Sequence, residues 1–529
     1  MLTAVLALLA AAVFLIARRL APHPSIASLP SIPFWKTVYL FVQNVPFDER
    51  HRELRVGVPT NTERMSRVWI AGRWLVQTSN AEFARKITAA PQLFPKVVLA
   101  DKPRFKSSFP VKTFGRNVVG TIGAEWKRHR NIVSPPFAKP LSPEPFAKSV
   151  ELLLTRFGEL DGQVVEVYSW MQRLTLDVLG RGIFSFDFES MSSRDPGKYV
   201  ALYNDMIGNV LHPISVILPF WSKVPTQKNL QTHKMSAEFR ELLGGMVTQR
   251  VKERKASDQG LHRDLLDMMI DSAYTAEADA MHSLSPEELV NDLAVFFVAG
   301  HDTTSNALST ALHFLALYPD VQERAREHVK EVMKKYPRAA TDDASSPYDA
   351  LIPSADAVRN FDFITAIIKE SLRLYPSAAI LGIRRCVEET QFGSYVFPKD
   401  TWVQIDIYGM HHDEEYWPDP ARFNPDRFMD SNKAAGTDAT GDSSSPASPT
   451  TPTSPGGTKA SKAAWMPFGG GSRICLGMQF SLMEQKVALA MMLLGFRFEL
   501  PDAPDADKYR LATGILLRPE EANVVLHKL

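Results

Sequence analysis

The sequence predicts a mainly α-helical body with a small β-rich region, and three observations carry the prediction. From about residue 45 to 430 apolar residues recur with a helical period, and β-rich runs are few. Only "RVWIAGRWLVQTS" (67–79) and "VEETQFGSYVFPKDTWVQIDIYGM" (387–410) read as strands. One long apolar helix starts at a clear signal: Ser285 can cap, Pro286 suits the first helical position and Glu288 completes a capping box. Its pattern runs to Pro319, about 30 residues or roughly 45 Å, enough to cross the whole molecule.

The elements follow in chain order. "MLTAVLALLAAAVFLIA" is 17 residues without a charged side chain, followed by Arg18 and Arg19. Such a run is at the short limit for spanning a bilayer. A signal peptide would carry its positive charge before the apolar run. Arginines after it leave the rest of the chain in the cytosol. Residues 1–19 are therefore expected to form a membrane anchor. Residues 20–44, with four prolines between 22 and 33, are expected to form a stiff hinge. Residues 45–529 form the body. Within it, 431–464 contain no aromatic and no large aliphatic residue, which predicts a disordered surface insert.

Composition excludes some functions. The chain has 529 residues, 45% hydrophobic, with a formal net charge of +1. It can bury a large core, and it lacks the basic excess that nucleic-acid binding requires. Its two cysteines, Cys386 and Cys475, make no disulfide framework. Cys475 ends the glycine loop "FGGGSRIC", just before the apolar run "LGMQFSLMEQKVALAMMLLGF". A helix N-terminus there lowers a thiol pKa, which suits a nucleophile or a metal ligand, whereas a cysteine after glycines can equally be a small buried hydrophobe.

Two further polar stations sit in apolar surroundings. In "KESLRLYP", Glu370 and Arg373 stand three apart on a helix that Pro376 ends, and their flanks predict a buried structural pair. "AGHDTT" (299–304) places a glycine, an acid and two hydroxyls inside the long helix, which predicts an interruption there. His411 and His412 lie in "HHDEEYWPDPARF" and are read as structural rather than metal-binding.

Together these residues resemble the cytochrome P450 family, haem-thiolate monooxygenases, and most closely its membrane-bound fungal members. The glycine loop fits F-x-x-G-x-R-x-C-x-G at Phe468, Gly471, Arg473, Cys475 and Gly477. Glu370 and Arg373 fit E-x-x-R, and "FNPDRF" supplies Arg427 as its third member. "AGHDTT" fits the oxygen-activation segment, and "WKRHR" supplies Trp126 and Arg130. The match covers nearly everything except the insert.

The resemblance implies a P450 fold and haem b (iron protoporphyrin IX). It implies Cys475 as the proximal iron ligand, with Phe468, Gly469 and Gly477 shaping its loop. Arg473, Trp126 and Arg130 would hold the propionates, with a further cation at Arg384 or Arg385, the register favouring Arg384. Thr303 and Asp302 are implied as the catalytic pair, a hydroxyl relay and its acid gate. Ala299, Gly300 and Phe296 would wall the oxygen side. The segments 105–117, 378–381 and 513–515 are placed in the substrate pocket. Glu370, Arg373 and Arg427 are structural, and Cys386 has no role.

The implied activity inserts one oxygen atom from O2 into a lipophilic small molecule. Electrons come from NADPH through a cytochrome P450 reductase, with cytochrome b5 as an auxiliary partner, at the endoplasmic reticulum membrane. A same-fold peroxide isomerase or dehydratase, or a haem-binding sensor, is the alternative. Thr303 argues against the first, and the Asp302–Thr303 pair against the second.

Overall fold

A computed structural model describes residues 21–529 apart from 44, 57–62, 71–72, 139–140, 192–196, 213, 216–217, 257–263, 275–282, 340–345, 430–462, 503–508 and 513–515. The expected anchor, residues 1–19, lies outside the described residues, as does the expected insert up to residue 462. Among the described residues no helix is long and apolar enough to cross a membrane.

The described part of the expected hinge packs on the body. Ile26, Leu29 and Ile32 are buried, Ser31 bridges Arg67, and helix α1 (Phe34–Val42) follows. Strands β1 (Met65–Ile70) and β2 (Arg73–Thr78) form the antiparallel pair expected from 67–79. The run 387–410 supplies β5 (Thr390–Phe392), β6 (Tyr395–Phe397) and β7 (Trp402–Ile405). It then turns into a short helix, because the Asp406 side chain caps Gly409 N–H at 2.9 Å. Strand β4 (Arg384–Arg385) completes a four-stranded sheet in the order β1-β2-β7-β4. A second sheet joins β3 (Val164–Glu166), β9 (Asn523–Lys528) and β8 (Phe496–Glu499), three strands too short or too remote to be read locally.

The rest is helical. Helix α2 (Ala81–Ala89) follows β2, and α3 (Gly123–Val133) carries the "WKRHR" motif. Helices α4 (Val167–Leu179) and α5 (Gly197–Val210) lie beside the long α6 (Gln227–Ala256) and central α7 (Pro286–Leu317). The cap of α7 is the one expected: Ser285 Oγ accepts from Glu288 N–H at 3.1 Å, and Glu288 Oε2 from Ser285 N–H at 2.8 Å. Most of its 32 residues are buried, as for a helix that is apolar all round and crosses a core. The expected interruption at 299–304 is absent; the helix is continuous. The reason is that Thr303 Oγ1 donates to the Ala299 carbonyl at 2.6 Å, adding to the backbone ladder rather than replacing part of it. Helices α8 (Pro319–Lys335), α9 (Asp362–Leu374) and α10 (Ile407–His411) follow, and α11 (Met478–Gly495) packs on α7, α8 and α9.

At the far edge of the insert, Ala464 is fully buried and Ala463 packs on the core. These two residues pack on the body although composition groups them with the insert, since alanine carries no sequence signal of its depth. Deleting residues 433–462 is expected to leave the folded protein and its spectrum intact. Chain closure changes by only about 0.6 kcal/mol per doubling of loop length. Absence of soluble, cofactor-loaded protein after the deletion would show that the segment is part of the fold.

Candidate functional site

Between α7 and the loop before α11 lies a cavity of about 310 Å³. One wall is α7, contributing Phe296, Ala299, Gly300, Thr303 and Thr304; the other is Phe468–Gly470 and Arg473–Gly477. The backbone of that loop is shaped by two glycines. Gly469 and Gly471 sit at φ +71° and +64°, in the left-handed region that side chains disfavour. A Cβ at Gly471 would also fall 2.0 Å from the Thr88 carbonyl at the end of α2. Gly477 carries no such constraint; a Cβ there would meet only Phe137, at 4.0 Å.

The loop presents Cys475. Its N–H donates to the Phe468 carbonyl at 2.9 Å, which closes the loop, and the surface it exposes is on the cavity it lines. Burial pushes its thiol pKa up, opposed by the Gly477 amide and the Arg130 charge. This corrects the sequence expectation of a lowered pKa. Desolvation outweighs the helix terminus, which begins three residues later at Met478.

The far end of the cavity is cationic. Lys96, Arg130, Arg384 and Arg473 line it, and no carboxylate does so among the described residues. Arg384 Nε and Arg473 Nη1 are buried with no hydrogen-bond partner. Burial lowers the pKa of Arg473 to about 10 and of Lys96 to about 7, with neighbouring arginines adding to both. A desolvated cluster of like charges is costly unless anions enter it. Trp126 lies under Arg473, whose Cζ is 4.0 Å from the ring centroid.

The structure separates the two adjacent arginines. Arg384 is buried, bonded to the Phe94 carbonyl at 3.1 Å and on the cavity, whereas Arg385 turns outward to Asp400 at 2.8 Å. Lys96 was missed by sequence reasoning. It belongs to no motif and reaches the site because its backbone bridges Arg384 across 288 positions of chain.

On α7 the two implied catalytic residues part company. Thr303 faces the cavity, and its carbonyl accepts from Ser377 Oγ at 2.7 Å. Asp302, implied as the acid gate, does not line this cavity. One residue is about 100° of helix turn, and Asp302 Oδ2 accepts from the Tyr203 hydroxyl of α5 at 2.6 Å. His301 Nδ1 is 3.2 Å from its other oxygen. Gly300 allows α4 to approach closely, since a Cβ there would lie 2.8 Å from Leu179 Cδ1.

Of the expected substrate segments, Ala378 and Leu381 line the cavity and 513–515 lie outside the described residues. The segment 105–117 does not line it. Phe105 and Phe109 are buried, and the following Val118 and Val119 reach the cavity instead.

Behind the loop stands the polar station of α9. Arg373 pairs with Glu370 through two bonds of 2.8 and 2.9 Å, both side chains fully enclosed. Arg427 Nε is 3.2 Å from Glu370. Arg373 also donates to the carbonyls of His411, Pro420 and Arg422. His411 Nε2 accepts from Met466 N–H at 3.0 Å, which leaves Nδ1–H to donate to the Arg373 carbonyl at 3.1 Å. Burial drives its pKa down to about 3, so the ring is neutral and ties α9 to the cysteine loop. Cys386 is buried in the body and does not line this cavity, with its thiol pushed up to about 11 by burial.

Comparison with known proteins gives a consistent picture. A family model described as Cytochrome P450 matches residues 33–526. Among curated relatives, Cytochrome P450 CYP72A616 of Paris polyphylla is 31% identical over 438 residues, covering 79% of this chain and 74% of its own. Cytochrome P450 72A397 of Kalopanax septemlobus is 28% identical, covering 88% and 81%. Cytochrome P450 3A29 of Sus scrofa is 29% identical, covering 76% and 73%. The crystal structure of a cytochrome P450 (CYP102L1) superposes with a TM-score of 0.69 at 22% identity, over 90% of this chain and 96% of that one, a likeness of fold.

Proposed function

The chain belongs to the cytochrome P450 family, and from that premise we propose how its residues serve a haem-thiolate monooxygenase. The family cofactor is haem b, and the cavity fits it. A thiol stands on one wall, and the cationic end has unpartnered guanidinium N–H groups matched to two propionates. Cys475 is the iron ligand. Arg130, Arg384, Arg473 and Lys96 bind the propionates, and Trp126 backs Arg473. Phe468 covers the sulfur and excludes water from it. When bound, the haem supplies the redox chemistry that activates O2.

Thr303 carries the oxygen-side role. Its hydroxyl is held by the Ala299 carbonyl, facing the cavity, where it can pass a proton at Oγ1. Asp302 acts behind it, held by Tyr203, and orients this stretch of α7. The substrate is lipophilic, because Val118, Leu179, Ile183, Phe296, Ala378 and Leu381 dominate the remaining lining. Electrons come from NADPH through a cytochrome P450 reductase, with cytochrome b5 as an auxiliary donor. Residues 1–19, an apolar run of 17 followed by two arginines, anchor the chain in the endoplasmic reticulum membrane. In support, α1 exposes Phe34, Trp35 (70% exposed), Tyr39 and Val42 close behind that segment.

The observation that carries the reading is a cysteine and a carboxylate-free cation cluster sharing one cavity with Thr303. The test is NADPH-dependent turnover of a panel of lipophilic compounds with reductase present. In Thr303→Ala, haem binding and substrate binding are expected to survive, while product per NADPH falls and hydrogen peroxide rises. A proton-transferring group contributes about 10²–10⁴-fold to the step it serves. Equal coupling in the variant and the parent would remove the relay role from Thr303.

A further inference from the structure

A second chemical cluster lies at the start of α7, where α3 crosses it, outside the cavity. Glu125, His129 and Glu288 each offer one ligand atom, all within 4.8 Å of one another. Glu125 and His129 are four apart on α3 and so share a helix face. His129 is fully buried, and its Nδ1 lies 2.6 Å from Asp292 Oδ2. Asp292 Oδ1 meanwhile accepts from Val118 N–H at 2.7 Å. With Asp292 as acceptor on both sides, Nδ1 carries a proton, so the lone pair of a neutral ring is on Nε2.

That Nε2 has no hydrogen-bond partner, and its nearest carboxylate oxygen is Glu288 Oε1 at 3.5 Å. A buried lone pair aimed at carboxylates is an unsatisfied arrangement that either a metal ion or a proton on Nε2 resolves. The charges around it point the same way. Glu125 is held by Arg116, which also reaches Asp101, and Glu288 is held by Arg128. Four carboxylates (Asp101, Glu125, Glu288 and Asp292) thus face two guanidinium groups and the His129 ring, an excess of negative charge. Both Glu125 oxygens and Glu288 Oε1 keep a second lone pair beyond their arginine bonds, so these ion pairs need not break for a metal to bind, whereas Glu288 Oε2 is already shared between Arg128 and the Ser285 amide.

We propose that Glu125, His129 and Glu288 bind one divalent zinc ion, which clamps α3 to the N-terminal turn of α7. One imidazole nitrogen and two carboxylate oxygens are a zinc donor set, with water in the fourth position. Asp292 is the carboxylate that orients the histidine ligand. Zinc bonds of about 2.0–2.2 Å require the three groups to draw in from their present spacing. Glu125 and Glu288, at 23% and 17% side-chain exposure, can move and leave ions a path in. The consequence reaches the cavity, since Trp126 and Arg130 each follow a zinc ligand by one residue on α3. The ion would brace the helix that carries them.

The test uses the haem-loaded full chain, stripped of adventitious metal and titrated with zinc sulfate against a chromophoric zinc chelator. One equivalent is expected to bind in the parent, with a rise in thermal midpoint. Glu125→Gln, which leaves the buried residues untouched, should weaken that equivalent at least tenfold and lose the rise. Asp292→Asn should weaken it by about 10–100-fold, as for loss of an orienting partner. His129→Gln removes the nitrogen ligand and should abolish the equivalent; if that variant does not fold, Glu125→Gln decides alone. Zinc uptake and midpoint equal in parent and Glu125→Gln would overturn the site. So would no uptake by the parent, which would leave His129 as a protonated partner of Asp292 and Glu288.

Discussion

Cys475→Ser is expected to lose the red-shifted thiolate-type Soret band of the reduced carbon-monoxide adduct completely. The backbone of this loop sets the position of the side chain, not its chemistry. The Cys475 amide is fixed to Phe468, and the two left-handed glycines fix the path. A serine would therefore stand in the same place with a hydroxyl whose proton is held far more tightly than a thiol's. It would give iron a poor anionic ligand with none of the electron donation of a thiolate. Burial already raises the Cys475 thiol pKa, so binding iron as a thiolate would release a proton, with the metal's charge as the driving force. Cys386→Ser is the matched control, since the other cysteine is enclosed in the body and does not line the Cys475 cavity. It should keep the band. A normal band in Cys475→Ser, or its loss only in Cys386→Ser, would place the ligand elsewhere.

The second large effect is expected at Arg373. This guanidinium is fully enclosed, pairs with Glu370, and satisfies the carbonyls of His411, Pro420 and Arg422. Removing it in Arg373→Ala strands a buried carboxylate with only Arg427 and the Asn424 amide as partners. Breaking a buried pair from one side costs about 3–5 kcal/mol, a large part of the stability of an ordinary domain. The His411 ring, which bonds both Arg373 and Met466, would pass that loss to the cysteine loop. The expected result is little or no haem-loaded protein on expression. Arg427→Ala should be milder, because its partner keeps the Arg373 bonds and Arg427 itself reaches solvent. If Arg373→Ala gives haem-loaded protein with a parental thermal midpoint, the pair is dispensable and the account of the loop's support is wrong.

The sequence by itself determined the features whose causes are local. Ser285, Pro286 and Glu288 mark the start of α7 within four residues, because a capping box is a contact between neighbours in the chain. Glu370 and Arg373 meet because three positions on a helix share a face. The spacing of the glycine loop placed Cys475 ahead of α11, and the apolar run after it could only be a buried helix.

What tertiary structure alone decided are the choices made between elements. Adjacent Arg384 and Arg385 point to opposite sides of β4, and only its pairing with β7 shows which side is the cavity. Lys96 joins the cation cluster through a bridge to that same strand, a contact no spacing encodes. Asp302 and Thr303 are neighbours in every motif, yet α5 packs against one face of α7 and the cavity opens on another. Tyr203 takes the acid, and the cavity keeps the hydroxyl. A helix repeats every 3.6 residues, so a sequence tells which residues share a face, but the direction of that face is fixed only by what the chain folds against it.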